Sequence, residues 1–175
     1  VTVNNIKAAE DVSKYLLKTD DYFGIIRGPY RDSVASEERM QGIINVYKKN
    51  NIALKEKYIA EGDFSYKSGY ECAKNLIKNN PNLKSIFAFS DQMAIGAIRY
   101  CIDNQIRIPD EMSIVGFDGI EASRYVNPSL STVYQSGTVL GTEIMKILIK
   151  KINNEEINDN KIFIPHKLIK RESSR

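Results

Sequence analysis

The chain has 175 residues, of which 42% are hydrophobic, and a net charge of +3 in which basic and acidic side chains are mixed along the sequence. This length fits one ordinary domain of about 100–200 residues and would leave a two-domain protein cramped. The mixed charge lacks the electrostatic footprint of a nucleic-acid-binding surface, and no apolar run is long enough to span a bilayer. Composition therefore argues against a membrane-spanning chain and against DNA binding by these residues themselves.

Strand and helix patterns alternate from the start of the chain. Val1–Asn4 is β-prone and begins without a lead-in, as in a sequence cut from something longer, and a helical face follows it. A strand then ends at the turn Gly28-Pro29, after which Ser33 or Ser36 can cap the next helix. Arg39 lies off the apolar stripe of that helix, near its first turn, so we expect it at the carboxyl end of the preceding strand, facing a crevice.

The next strand leads into a loop whose aromatic side chain has two possible uses. Phe64 precedes Ser65, a natural N-cap, and falls at the carboxyl edge of the predicted sheet. An aromatic ring at that edge can stack on a sugar or base ring, or it can staple the helix to its strand. From these residues alone the staple is favoured.

The stretch from Ser85 to Asp118 organises the predicted sheet. Its two apolar runs, Ser85–Phe89 and Met112–Phe117, are typical of strands buried on both faces, and one long helical pattern joins them. Asp91 follows the first strand and Asp118 ends the second. Because open parallel sheets bind ligands at the carboxyl ends of their strands, we expect the functional site at these carboxylates.

The helix in this stretch is apolar on nearly all sides. From Met93 to Ile102 only Gly96 and Arg99 are not apolar. A helix that covers one face of a sheet needs a single apolar stripe, so this pattern indicates a second buried contact. A subunit interface would supply that contact, and so would a position deep in a larger core.

The remaining elements complete an α/β pattern. A short helical segment at 121–125 is followed by the extended run Leu130–Tyr134, with Gln135 at its end, by the amphipathic helix Val139–Ile152, and by loose alternation over 161–169. Helices alternate with strands at short spacing throughout. We therefore predict an α/β fold with a Rossmann-like, largely parallel sheet flanked by helices.

Enzyme chemistry finds little support in the sequence. His166 lies in a late β-prone run, and the chain contains no GxSxG, Walker A, GxGxxG or HExxH motif. Asp91 and Asp118 could form an acid/base pair, but no nucleophile or metal ligand set accompanies them. Cys72 and Cys101 fall among apolar neighbours and are predicted to be buried free thiols, as suits a reducing, cytoplasmic setting. We expect no catalytic residue, no cofactor and no metal.

Six ordered motifs carry a resemblance to a known family. The sequence resembles the effector-sensing region of lactose-repressor-type (LacI/GalR) transcriptional regulators, which shares the type I periplasmic-binding-protein fold with extracellular sugar receptors. The matching motifs cover nearly the whole chain: GPYRDSVASEERMQG at 28–42, EGDFSYKSGYECA at 61–73, FAFSDQMAIGA at 87–97, IPDEMSIVGFDGIE at 108–121, NPSLSTVYQ at 127–135 and LIKRESS at 168–174.

The resemblance implies a domain organisation and a function. Residues 1–130 would form the C-terminal lobe of a two-lobe domain, and residues 131–175 a crossover, a helix that returns to the other lobe, and a final strand; the DNA-binding headpiece and most of the first lobe are not in this sequence. The family senses a small polar effector, often a sugar, in the cleft between the lobes. Effector binding changes how a homodimer holds operator DNA through its headpieces, without any membrane partner. The alternative is a periplasmic sugar-binding protein of a transport system, which shares the fold and the cleft.

The resemblance also assigns residues to roles. Arg39 would hold effector hydroxyls or carboxylates, Asp118 would accept hydrogen bonds from the effector, and Phe64 would pack on its ring, which reverses the preference for the staple. Asp91 would cap its own helix. Further effector contacts are predicted at Ser90, Gln135 and Asn4, with Arg31 a weaker candidate, and the dimer interface at Met93, Ala94, Ala97, Ile98 and Cys101.

Overall fold

The structure, a computed structural model, describes residues 1–29, 33–157 and 161–175. Its helices are α1 (Asn5–Leu16), α2 (Val34–Lys49), α3 (Tyr66–Asn79), α4 (Asp91–Asp103), α5 (Ala122–Tyr125) and α6 (Gly137–Ile152). Its strands are β1 (Thr2–Val3), β2 (Gly24–Arg27), β3 (Ile59–Glu61), β4 (Ser85–Ala88), β5 (Ser113–Asp118), β6 (Ser131–Gln135), β7 (Phe163–Ile164) and β8 (His166–Ile169).

Six of these strands form one sheet in the order β3-β2-β4-β5-β6-β8. All neighbours in it run parallel except β8, which is antiparallel to β6. The short strands β1 and β7 pair with each other in a separate parallel ribbon. The predicted class, an α/β fold with a largely parallel sheet, is confirmed.

Serine residues cap the N-termini of four helices. Ser33, Ser65, Ser90 and Ser136 precede α2, α3, α4 and α6, and each hydroxyl accepts a hydrogen bond from the amide three residues on, at 3.1–3.2 Å. Such a cap is worth about 1 kcal/mol. The choice between Ser33 and Ser36 is thereby decided for Ser33, and the prediction that Asp91 caps α4 is wrong because Ser90 does so.

The helices cover both faces of the sheet in pairs. Helix α1 packs on α2, and α3 packs on α4. A Cβ added at Gly24 of β2 would meet Leu83 and Leu76 of the α3 side, whereas Arg27 of the same strand reaches Glu37 of α2. Since strand side chains alternate between faces, the two helix pairs lie on opposite faces, and β4 and β5 are buried between them.

The apolar pattern of α4 is explained by contacts within this chain. Met93, Ala94, Ala97, Ile98 and Cys101 are all 0% exposed, because the sheet covers one side of α4 and α3 covers another. These five side chains therefore offer no surface to a second subunit, and their assignment to a dimer interface is corrected: they belong to the core.

Two glycines bring α3 and α4 into this close contact. A Cβ at Gly69 of α3 would lie 2.1 Å from the carbonyl oxygen of Met93, and one at Gly96 of α4 would lie 2.0 Å from that of Tyr66. The two backbones nearly touch at this crossing. Helix α3 therefore supplies the second buried contact that the sequence pattern requires.

Helix α6 has the opposite character. The structure confirms it as a helix, yet none of its residues is buried. Six of its apolar side chains are exposed to between 39% and 70%: Val139, Ile144, Met145, Leu148, Ile149 and Ile152. An exposed apolar stripe of this size marks an interaction surface.

Three side chains outside the carboxyl edge behave as structural elements. Cys72 and Cys101 are free thiols and buried, as predicted, and burial raises the pKa of Cys72 to about 11 and that of Cys101 to about 12. His166 lies 3.2 Å from the Asp11 carboxylate, which joins β8 to α1.

Within the described ranges, no helix has both the length and the apolar character needed to cross a membrane.

Candidate functional site

Three of the predicted site residues meet at the carboxyl edge of the sheet. Asp118 ends β5, Gln135 ends the neighbouring strand β6, and Arg39 reaches them from α2. Gln135 Nε2 donates a hydrogen bond to Asp118 Oδ1 at 2.9 Å, and Arg39 Nη2 lies 3.8 Å from the same oxygen. The second distance is longer than a hydrogen bond, so the two charges attract each other without a direct contact.

Arg39 is fixed on several sides. Only 6% of the residue is exposed, and its guanidinium carbon lies 3.5 Å from the centre of the Phe117 ring. Nη1 donates to the carbonyl oxygen of Phe89, and Nε donates to Asn5 Oδ1 at 3.0 Å. Burial lowers the pKa of Arg39 to about 10 although neighbouring carboxylates oppose the shift. The side chain thus remains a cation at neutral pH and is held in one orientation.

Asp118 projects from an unusual stretch of backbone. Its φ is +112° and that of the following Gly119 is +71°, both in the range that side-chain-bearing residues seldom adopt. Burial raises the pKa of the Asp118 carboxyl, against the effects of Arg39 and Gln135. Conformations of this kind persist where the surrounding structure fixes them, often at ligand sites.

Asp91 holds that backbone in place. Its Oδ2 accepts a hydrogen bond from the amide of Ile120 at 2.8 Å, and its Oδ1 accepts one from the Thr132 hydroxyl at 2.5 Å. A Cβ at Gly116 would lie 2.3 Å from Oδ1, so glycine leaves room for the carboxyl. Burial raises the pKa of Asp91 to about 7. Asp91 is therefore a fully buried link between α4, the turn after Asp118, and β6.

Phe64 lies at the same edge, in the position that the sequence predicts. Its φ is +67°, and its ring covers Gly28 so closely that a Cβ there would lie 2.0 Å from the ring. The residue is half-buried and contacts the core. This placement fits both the staple and the ligand-stacking interpretation, and the ligand contact stays a prediction.

The remaining residues predicted to contact an effector make other hydrogen bonds in the structure. The Ser90 hydroxyl caps α4, and the Asn4 side chain caps α1 by accepting from the Lys7 amide at 2.9 Å. Neither makes a hydrogen bond to Arg39 or Asp118 among those found in the described residues. Arg31 lies outside the described residues. Effector contacts by Ser90 and Asn4 remain predictions.

Two residues at this edge were missed by the sequence arguments. Asn5 is 3% exposed and bonds both Arg39 and the Glu38 carboxylate. Arg27, at the end of β2, is 9% exposed and contacts Glu37 at 2.8 Å. An arginine at the end of an apolar strand could have been recognised from the sequence as a candidate site residue. The partners of Asn5, in contrast, are more than thirty positions away in the sequence.

A parallel sheet that carries a buried cation and a carboxylate at its carboxyl edge is typical of a domain that binds a small polar molecule. Comparison with known proteins defines that class further. The family model described as "Periplasmic binding protein-like domain" matches residues 21–174.

The regulator MalR of Clostridium butyricum is 33% identical over 175 residues, which cover 99% of this chain and 51% of MalR. The chain thus spans about half the length of the curated relatives it matches. Among solved structures, the complex of the transcriptional regulator CelR with cellobiose superposes with a TM-score of 0.91 at 26% identity, covering 98% of this chain and 53% of CelR. A LacI-type regulator from Bacillus cereus subsp. cytotoxis gives 0.93 at 30% identity, covering 99% and 61%.

The chain therefore belongs to the periplasmic-binding-protein-like domain family, and the lactose-repressor-type regulators named above are proteins that it resembles. The relatives named above are regulators and not enzymes, in agreement with the prediction from the sequence.

Proposed function

We propose that this chain is the C-terminal half of an effector-sensing region, which binds a small polar effector at its carboxyl edge and thereby controls DNA binding by the whole protein. The observation that carries the proposal is the cluster of Arg39, Asp118 and Gln135, brought together from three separate elements. A buried, fixed cation beside a carboxylate is prearranged to exchange hydrogen bonds with a polar ligand.

A sugar is the effector that these side chains suit best. The Asp118 carboxylate can accept hydrogen bonds from two hydroxyl groups, and the guanidinium of Arg39 can donate to ring or hydroxyl oxygens. The ring of Phe64 can cover an apolar face of the sugar. The solved CelR structure holds cellobiose, which supports a sugar for this chain as well.

We propose that residues 1–130 form one lobe, and that residues 131–175 contribute the crossover, the helix α6 that packs on a second lobe, and the last strand. The exposed apolar stripe of α6 supports this division, since a second lobe would cover it. An effector bound between two lobes would favour one state of closure, and that difference in affinity is what allosteric control of a DNA-binding headpiece requires.

A homodimer belongs to the same proposal, on a surface different from the one first predicted. The outer side of α3 and α4 carries a largely apolar groove of about 410 Å³ lined by Tyr66, Lys67, Tyr70, Ile95, Gly96 and Arg99. Tyr66 and the nearby Ile102 are each exposed to about 45%. We propose this groove as the contact with a second copy, in a protein that acts in the cytoplasm.

The alternative, a sugar-binding protein of a transport system, would use the same edge of the sheet. The relative MalR and the two solved structures named above are regulators, which favours sensing over transport.

The test is a thermal-shift screen of the intact protein with sugars, sugar phosphates and nucleobases, including cellobiose. A ligand that binds the folded state at 100 times its Kd stabilises it by about 2.7 kcal/mol. We expect at least one sugar to raise the melting temperature, and Asp118→Asn to abolish the increase. Asp110→Asn, an exposed carboxylate paired with Arg175, is the control. Failure of every sugar, or an unchanged response in Asp118→Asn, would contradict the proposal.

A further inference from the structure

A continuous network of polar contacts leads from Arg39 Nε to residues beyond the carboxyl edge. Arg39 Nε donates to Asn5 Oδ1 at 3.0 Å, and Asn5 Nδ2 donates to Glu38 Oε2 at 2.9 Å. The other oxygen of Glu38 forms an ion pair with the ammonium group of Lys161. Four side chains from three parts of the chain are thus joined one to the next.

The far end of this network of contacts reaches the small ribbon formed by β1 and β7. Lys161 comes two residues before β7, and the carbonyl of Ile162 accepts a hydrogen bond from the amide of Thr2 in β1 at 2.9 Å. Asn5 begins α1, immediately after β1. The contacts therefore connect Arg39 with the ribbon, which lies outside the main sheet.

Each hydrogen bond in this network has a defined donor and a defined acceptor. Asn5 must present its oxygen to Arg39 and its amide nitrogen to Glu38, so its side-chain orientation is determined by both neighbours at once. Glu38 lies between the charges of Lys161 and Arg39, and although burial opposes it, Lys161 and Asn5 hold the pKa of Glu38 below its usual value. Glu38 is thus an acceptor at neutral pH.

We propose that Asn5, Glu38 and Lys161 are positioning residues, which hold the Arg39 guanidinium in its binding orientation and connect it to the β1–β7 ribbon. This inference rests on the proposed function, since it gives Arg39 a ligand to bind. It assigns to Lys161, distant from Arg39 in the sequence, a role in preparing the site. Movement of the ribbon would then alter the orientation of Arg39, and a ligand held by Arg39 would act on the ribbon in return.

An ordinary surface ion pair would have no such effect. The Lys161 side chain is 48% exposed and that of Glu38 is 20% exposed. Exposed pairs contribute little to stability, so overall stability does not distinguish the two cases. The orientation of Arg39 does distinguish them, and its Nε–H group reports on it directly.

The test is the ¹⁵N–¹H signal of Arg39 Nε in the intact protein, without any ligand, and the rate at which its proton exchanges with water. Glu38→Met should accelerate this exchange by about tenfold, since it releases Asn5 from its acceptor. Lys161→Met should give a smaller increase of about threefold, because one more contact separates it from Arg39. Lys161→Arg, which keeps the charge, should restore the rate of the unchanged protein.

The matched control is Lys74→Met on α3, which removes an exposed lysine paired with Glu71 at 3.3 Å. If Glu38→Met and Lys161→Met change the Arg39 Nε–H exchange no more than Lys74→Met does, the proposal is overturned. Because the measurement uses no effector, it answers this question even if the screen for sugars fails. A failed screen with a positive result here would contradict the sensing function and leave the positioning role intact.

Discussion

The carboxyl edge of the sheet buries charged side chains, whereas helix α6 exposes apolar ones. Arg39 and Asp91 are 6% and 0% exposed, whereas Leu148 and Ile149 of α6 are 46% and 52% exposed. The buried charges are stabilised from within the chain by hydrogen bonds and ion pairs. Nothing in the described part of the chain buries α6. The site is therefore prearranged before any partner binds, while α6 depends on a partner.

The largest expected effect comes from removing the buried cation. Arg39→Met leaves the half-buried Asp118 carboxylate without its charge partner, and it leaves the Phe89 carbonyl and the Asn5 side-chain oxygen without their donor. Together these losses should lower the free energy of unfolding by about 3–5 kcal/mol. Urea unfolding of the intact protein measures the change. Arg107→Met, which removes an exposed arginine paired with Glu111 at 3.1 Å, should change it by less than about 0.5 kcal/mol. Equal effects of the two variants would show that the edge is not prearranged by Arg39.

A charge placed on α6 tests the other side of the comparison. If a second lobe covers the apolar stripe, Leu148→Asp should destabilise the intact protein by about 2–3 kcal/mol, because it buries an unpaired carboxylate. Lys151→Asp on the same helix serves as the control, since Lys151 is exposed and polar already. Unfolding experiments that find the two variants equally stable would show that α6 remains exposed and would remove the basis for the lobe division.

The buried carboxyl of Asp91 predicts a pH dependence. Its pKa is raised from 3.8 to about 7, so its contribution to stability is complete below pH 4 and is lost as the pH rises through 7. The unfolding free energy of the unchanged protein, relative to Asp91→Asn, should therefore fall by about 3 kcal/mol between pH 4.5 and pH 7.5. A difference between the two proteins that stays constant over this range would contradict the assignment.

The sequence predicts the sheet well, because its determinants are local. The buried runs of β4 and β5 and the caps predicted at Ser33 and Ser65 each depend on residues within a few positions. The placement of Arg39 and Asp118 at one edge follows from strand order and from the rule that parallel strands end together. These features need no knowledge of distant contacts.

Contacts between distant segments explain what the sequence does not predict. The five buried residues of α4 look the same in sequence whether α3 or a second subunit covers them, and the glycine crossing at Gly69 and Gly96 decides for α3. Asp91 could cap its own helix or reach another segment, and Thr132 and Ile120, both far along the chain, decide for the second. Asn5 is hydrogen-bonded to Arg39 and Glu38, and no local sequence pattern predicts these contacts.

The smallest expected effect on stability comes from the outer side of α4. Ile102→Lys exchanges one exposed side chain for another, so the free energy of unfolding should change by less than about 0.5 kcal/mol. Its effect on a homodimer should be larger, with at least about tenfold weaker association, since a charge would enter an apolar contact. Analytical ultracentrifugation of the intact protein measures this, with Lys74→Met as the control. Unchanged association would exclude this face from the interface.

Isothermal titration calorimetry tests the central claim most directly. The intact protein, Asp118→Asn and Asp110→Asn would each be titrated with cellobiose and with every sugar that raises the melting temperature in the screen. We expect the unchanged protein and Asp110→Asn to bind one sugar equally well, and Asp118→Asn to bind it at least about a hundredfold more weakly, since charge-assisted hydrogen bonds to that carboxylate are lost. Equal binding by all three proteins would contradict a site at the carboxyl edge of the sheet.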